Sequence, residues 1–141
     1  MPNMIHLRGD FERYEGLVAD GQTVEPGMLV KVDADGVAGN NLAETCEKAF
    51  AVENSLGGDG IGDSYAEGEL CHYNVERSGN LVQAWVLSNS TETLAVGQKL
   101  IPTTTAGVLG KGTTAGLVVG VIAESVAVVE NVVKRAVIRI V

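Results

Sequence analysis

The chain has 141 residues with 18 acidic and 10 basic side chains, a formal charge of -8, and only six aromatics among 45% apolar residues. That balance leaves no cationic stripe to neutralise phosphates and no run of rings on which bases stack, which excludes nucleic acid as a partner. The longest apolar run, Leu117 to Ala123, is broken by Gly120 and falls far short of the roughly 20 residues a membrane-crossing helix needs, so no membrane partner is expected.

Residues 1–17 read as an N-terminal arm, in which Ile5, Leu7, Phe11, Tyr14 and Leu17 alternate with charges. Arg8, Asp10, Glu12 and Arg13 stand where a signal peptide needs an unbroken apolar core. Residues 18–141 read as a single all-β domain, because valine-rich segments separated by turn residues dominate. The first strand follows Pro26-Gly27 and covers 28–33, with Met28, Val30 and Val32 on one face; Asp35-Gly36 then marks a hairpin turn. One short helix is predicted over Leu42 to Phe50, with Asn41 as N-cap and Glu44 three residues after it. Further strands are expected at 48–53, 69–76, 81–88, 94–101, 116–123, 125–130 and 132–141. Between them lie an acidic glycine-rich loop, Ser55 to Gly68, and a flexible Thr/Gly segment, Thr103 to Gly116. The strands at 81–87 and 117–123 are apolar on both faces, which places them in the middle of the core or against a second subunit. Trp85 lies in the first of these and joins the arm residues as a candidate subunit or capsid contact.

The charge is unevenly distributed. Residues 1–76 hold 15 acidic and 4 basic side chains, net -11, and residues 77–141 hold 3 acidic and 6 basic, net +3. Such asymmetry pairs across the fold or steers subunits together.

Motifs for chemistry fail on inspection. A calcium loop read from Asp59 has Ile61, Ser64 and Leu70 at positions that require an oxygen ligand, glycine and glutamate. Gly110-Lys111-Gly112 lacks the first glycine and the hydroxyl of a phosphate-binding loop. Cys71 and His72 are adjacent, so a strand sends them to opposite faces, and two cysteines are too few for a disulfide framework; both thiols read as small buried groups. Arg77-Ser78-Gly79 and Gly62-Asp63-Ser64-Tyr65 resemble motifs of trimeric dUTP pyrophosphatases, but in reversed order, with one residue too few before the tyrosine and no glycine-rich closing motif. No catalytic residue, metal or cofactor is expected, and the chain is not read as an enzyme.

One layout remains. A segment from Val18 to Val32, a strand region Leu94 to Pro102, a Thr/Gly tip, the apolar run Gly116 to Glu124 and the terminal strand Arg135 to Val141 follow one another. This order resembles the head-decoration, or capsid cement, proteins of tailed bacteriophages. The resemblance implies a compact β-barrel-like or β-tulip domain. It also implies a homotrimer, the major capsid protein as partner, and a place on the outer surface of the virion after synthesis in the host cytoplasm. A small receptor- or glycan-binding β module is the alternative, weakened by the scarcity of aromatic rings for a sugar platform.

Overall fold

A computed structural model describes residues 4–41 and 47–141. Among these described residues, thirteen strands run in chain order: β1 His6–Arg8, β2 Phe11–Leu17, β3 Val30–Asp33, β4 Gly36–Gly39, β5 Ala49–Ala51, β6 Leu70–Glu76, β7 Leu81–Val86, β8 Glu92–Leu94, β9 Lys99–Pro102, β10 Leu109–Lys111, β11 Gly120–Ile122, β12 Val126–Val128 and β13 Lys134–Ile140. The only helical turn among the described residues is a 3-10 turn at Ser55–Gly57. The chain is therefore all-β, as the valine-rich alternation predicts.

Five strands close a barrel in the order β7-β10-β9-β11-β13, with β13 returning to β7. The closing pair is antiparallel and in register from Lys134 opposite Val86 to Arg139 opposite Leu81. Alternation decides which side chains fill the barrel. Val82, Ala84 and Val86 from β7, Leu100, Leu109 and Ile122, and Ala136, Ile138 and Ile140 from β13 form one buried apolar cluster. Leu94 and Val128 join it from the two-stranded ribbon β8–β12. Leu29 and Phe50, paired in an isolated bridge, extend it toward the rest of the molecule.

A second layer is built from the sheet β2-β6-β5 and the hairpin β3–β4. Its own core contains Val18, Val24, Val30, Val37, Ala49, Ala51, Tyr65 and Cys71. Gly36 makes the hairpin's approach possible: its φ is +121°, and a Cβ there would lie 2.4 Å from the Leu17 carbonyl oxygen. No residue with a side chain fits.

Several expectations need correction. Of the predicted helix, 42–46 lie outside the described residues, and Ala49 and Phe50 belong to β5, hydrogen-bonded to β6 rather than coiled. The strand expected at 94–101 is two strands, because the turn at Ala95 to Gln98, with Gly97 at φ +91°, separates β8 from β9. The apolar run 116–123 is a strand only over β11; Gly116 has φ +81° and Leu117 follows in a turn closed by Thr114. The Thr/Gly segment contains β10, held antiparallel to β9.

Candidate interaction surface

The arm residues form strands. β1 pairs with β7, placing His6 opposite Val82 and Arg8 opposite Leu81, and β2 pairs with β6 along its whole length. Ile5 is fully buried, its amide donating to Glu53 Oε2 at 3.1 Å and its carbonyl accepting from Gln83. Ile5 therefore packs inside its own subunit and is not a surface contact. Leu7 is half-buried.

Phe11, Tyr14 and Leu17 differ: all three are exposed, and Leu70, opposite Leu17, is exposed with them. β2 is an edge strand whose two faces both reach solvent over nearly all of its seven residues. The rings are held in place. Tyr14 stacks on Tyr73 with centroids 5.8 Å apart, and its hydroxyl donates to Glu12 at 2.6 Å. That bond stabilises the neutral phenol and the charged carboxylate, raising the Tyr14 pKa and lowering that of Glu12. Phe11 lies 4.4 Å from the His6 ring, with the Arg13 guanidinium 5.3 Å from its centroid.

Behind this strand lies a polar layer between the two halves of the molecule. The Glu76 carboxylate is buried and accepts from His6 Nδ1 at 2.8 Å, Asn80 Nδ2 at 2.7 Å and Asn74 Nδ2 at 3.5 Å. Arg13 Nε donates to Asn74, and Asn80 also donates to the Asp10 carbonyl at 2.6 Å. His6 Nε2 faces the Gly9 carbonyl at 2.8 Å. Both neighbours of the ring are acceptors. Three side chains, His6, Asn74 and Asn80, converge on the Glu76 carboxylate, and the bonds from Arg13 to Asn74 and from Asn80 to Asp10 extend the layer, fixing β1 and β2 against β6 and β7.

Trp85 is covered on one face. The Arg135 guanidinium sits 4.2 Å from its ring centroid, and its indole N–H donates to the Pro26 carbonyl at 3.0 Å. Arg135 also donates to Pro26 at 3.2 Å and to the Ile61 carbonyl. One side chain thus ties the Pro26-Gly27 turn and the acidic loop to the barrel wall, and its burial lowers its own pKa. Trp85 is consequently a structural anchor between the turn and the barrel wall.

Cys71 is buried, with its thiol pushed up to about 12 by burial, while His72 faces the other way toward Glu15 at 3.5 Å. Cys46 lies outside the described residues. Tyr65 is buried with its hydroxyl donated to the Val52 carbonyl at 2.6 Å, and Arg77 pairs with Glu12 at 3.4 Å. In the acidic loop, Asp63 accepts from the Gly60 amide at 2.7 Å within the loop, and Glu67 accepts from the Gly21 amide at 2.6 Å, so both carboxylates are engaged by backbone amides. No three His, Cys, Asp or Glu side chains converge as a metal site among the described residues. Lys111 meets Glu92 at 2.8 Å, and the Ser88 and Ser90 hydroxyls also donate to Glu92, bringing it to about 2.

Sequence reading missed one apolar feature. Val129, Val132 and Val133 are exposed at the tip joining β12 to β13, where Asn131 adopts φ +57°. The signal was present in Glu130-Asn131, a polar pair inside a valine run, which reads as a turn. The chain matches no protein-family model and no curated protein.

Proposed function

We propose that this protein is a structural component of a tailed-phage virion. It binds the outside of the icosahedral head as a homotrimer, contacts the major capsid protein and stabilises the expanded lattice. The observation that carries the reading is β2: a seven-residue edge strand presenting Phe11, Tyr14 and Leu17 to solvent, joined by Leu70, on a chain with otherwise few aromatics. Leu17 lies beside Leu70 on the face it shares with Phe11, and Tyr14 lies with Tyr73 on the other face; exposed apolar groups of this kind mark surfaces used for association. The polar layer around Glu76 holds that strand rigid, so docking orders few side chains.

The physical mechanism is mass action. A subunit that bridges shell proteins only in the expanded lattice stabilises that lattice by its differential affinity. A trimer engages three such contacts at high effective concentration. Light scattering on the purified protein is expected to give the mass of a trimer. Expanded heads lacking the protein are expected to bind it, and unexpanded shells are not. A stable monomer without affinity for expanded heads overturns the proposal.

A further inference from the structure

Hydrogen-bonded register places Lys99 of β9 opposite Val121 of β11, Val121 opposite Arg139 of β13, Arg139 opposite Leu81 of β7, and, past a bulge between His6 and Arg8 that turns Arg8 away from the inward His6–Val82 pair, Leu81 opposite Arg8 of β1. Directly opposed residues on neighbouring strands project from the same face. The inward residues of these barrel strands, Leu100, Ile122, Ile138 and Val82, fill the core, so the row runs across the outer wall. Lys99, Arg139 and Arg8 are all exposed, and none has an ion pair or side-chain hydrogen bond among the described residues. With strands about 4.8 Å apart, the cations repeat about every 10 Å along a band about 20 Å long. Half-buried Leu81 and buried Val121 are the positions between them.

A patch of the opposite sign lies at the other end of β9. That strand runs from Lys99 to Pro102 and leads into the tip carrying Ala106. Ala106 forms one wall of a cleft of about 410 Å³ whose other walls include Asp20, Asp33 and Asp35. Lys31 also lines it, 3.9 Å from Asp33, leaving an excess of negative charge. The two patches are different surfaces of one molecule, and on a chain of charge -8 an uncompensated cation row calls for an acidic partner.

We infer that the outer-wall row of Lys99, Arg139 and Arg8 docks against the Asp20, Asp33 and Asp35 cleft of a second copy of this chain. A contact between unlike patches is heterologous and closes into a ring when the rotation permits. This inference rests on the trimer reading above and supplies the subunit contact, leaving the exposed β2 surface for the shell.

Charge reversal tests it on the full chain. Lys99→Glu/Arg139→Glu reverses one patch and Asp33→Lys/Asp35→Lys the other, with Lys99→Gln/Arg139→Gln as a milder variant and circular dichroism confirming the fold of each. Sedimentation across a concentration series is expected to show each reversal weakening self-association about 100-fold or more, and the neutral variant about tenfold. The two reversed proteins mixed together are expected to associate with each other. Wild-type association is expected to weaken between about 50 mM and about 500 mM NaCl, because exposed pairs are screened. Reversed variants that remain trimeric with unchanged affinity overturn this contact while the trimer stands. A wild-type monomer at every concentration and salt overturns the trimer reading itself, and this contact with it.

Discussion

Replacing Arg135 with alanine is expected to loosen the acidic loop and the Pro26 turn from the barrel before the barrel itself melts. The guanidinium makes two hydrogen bonds to carbonyls, to Pro26 and Ile61, and lies 4.2 Å from the Trp85 ring. A bond from a charged donor contributes about 1.5–3 kcal/mol and a partly desolvated cation–π contact about 0.5–2 kcal/mol. Against this stands the partial burial of the charge, and Nε, which is buried without a hydrogen-bond partner. The net loss is expected to be about 2–3 kcal/mol, or a fall in Tm of about 4–12 °C for a domain of this size. Urea denaturation monitored by Trp85 fluorescence measures the total. Native-state hydrogen exchange locates it: the Gly27, Asp63 and Tyr65 amides, which bond to Ala51, Gly60 and Val24, are expected to exchange faster while those of β13 hold. Arg135→Lys keeps the charge without the planar fork and is expected to recover less than half of the loss. A loss below about 1 kcal/mol, with loop exchange unchanged, refutes the clamp.

Three further outcomes are expected. Glu92 has its pKa depressed from 4.5 to about 2, first by Lys111 and then by Ser88 and Ser90, so its stabilisation is present above 4.5 and disappears as pH falls toward 2; Glu92→Gln is expected to flatten the Tm profile in that window, and a profile unchanged from wild type refutes the assignment. In a Cys46→Ser background, Cys71, buried with its thiol near 12, is expected to resist a thiol reagent at pH 8 in the native protein and to react on unfolding, which absorbance at both conditions reads directly. Gly36→Ala combines a positive φ with a Cβ 2.4 Å from the Leu17 carbonyl and is expected to cost about 2–4 kcal/mol in chemical denaturation, whereas Gly21→Ala, at φ +74° with open space around it, is expected to cost about 1 kcal/mol.

The barrel strands were legible because alternation of large aliphatic side chains encodes which face is buried. In β13, Ala136, Ile138 and Ile140 point into the core while Arg139 points out, as the sequence pattern requires. β7 shows why two-faced apolar strands are ambiguous: its outer face is covered by the chain's own Ile5, Pro26 turn and Arg135, contacts distant in sequence that no local window contains. The same applies to Ile5, whose alternation with charges suggested an outward role but whose backbone is stitched to β7 and Glu53. Phe11, Tyr14 and Leu17 were recognisable as candidates, since apolar side chains among charges at a strand edge keep one reading whether or not the partner is present. The cation row was invisible for a different reason. Arg8, Lys99 and Arg139 come from three distant segments and meet only through strand register.

Closure of the barrel also sets an order of events during folding. β7 and β11 both require β13, yet 47 residues separate the end of β7 from the start of β13, and every other barrel strand is synthesised before it. Until Lys134–Ile140 emerges, β7 and β11 each present a bare hydrogen-bonding edge lined with valine, leucine and isoleucine, the kind of template on which neighbouring nascent chains pair. β1, held by the polar layer at Glu76, covers the opposite flank of β7 early, using residues already made, so the seam edge is the one left open. Folding is therefore expected to be slow and seam-limited, with the last strand acting as the closing stave of the barrel.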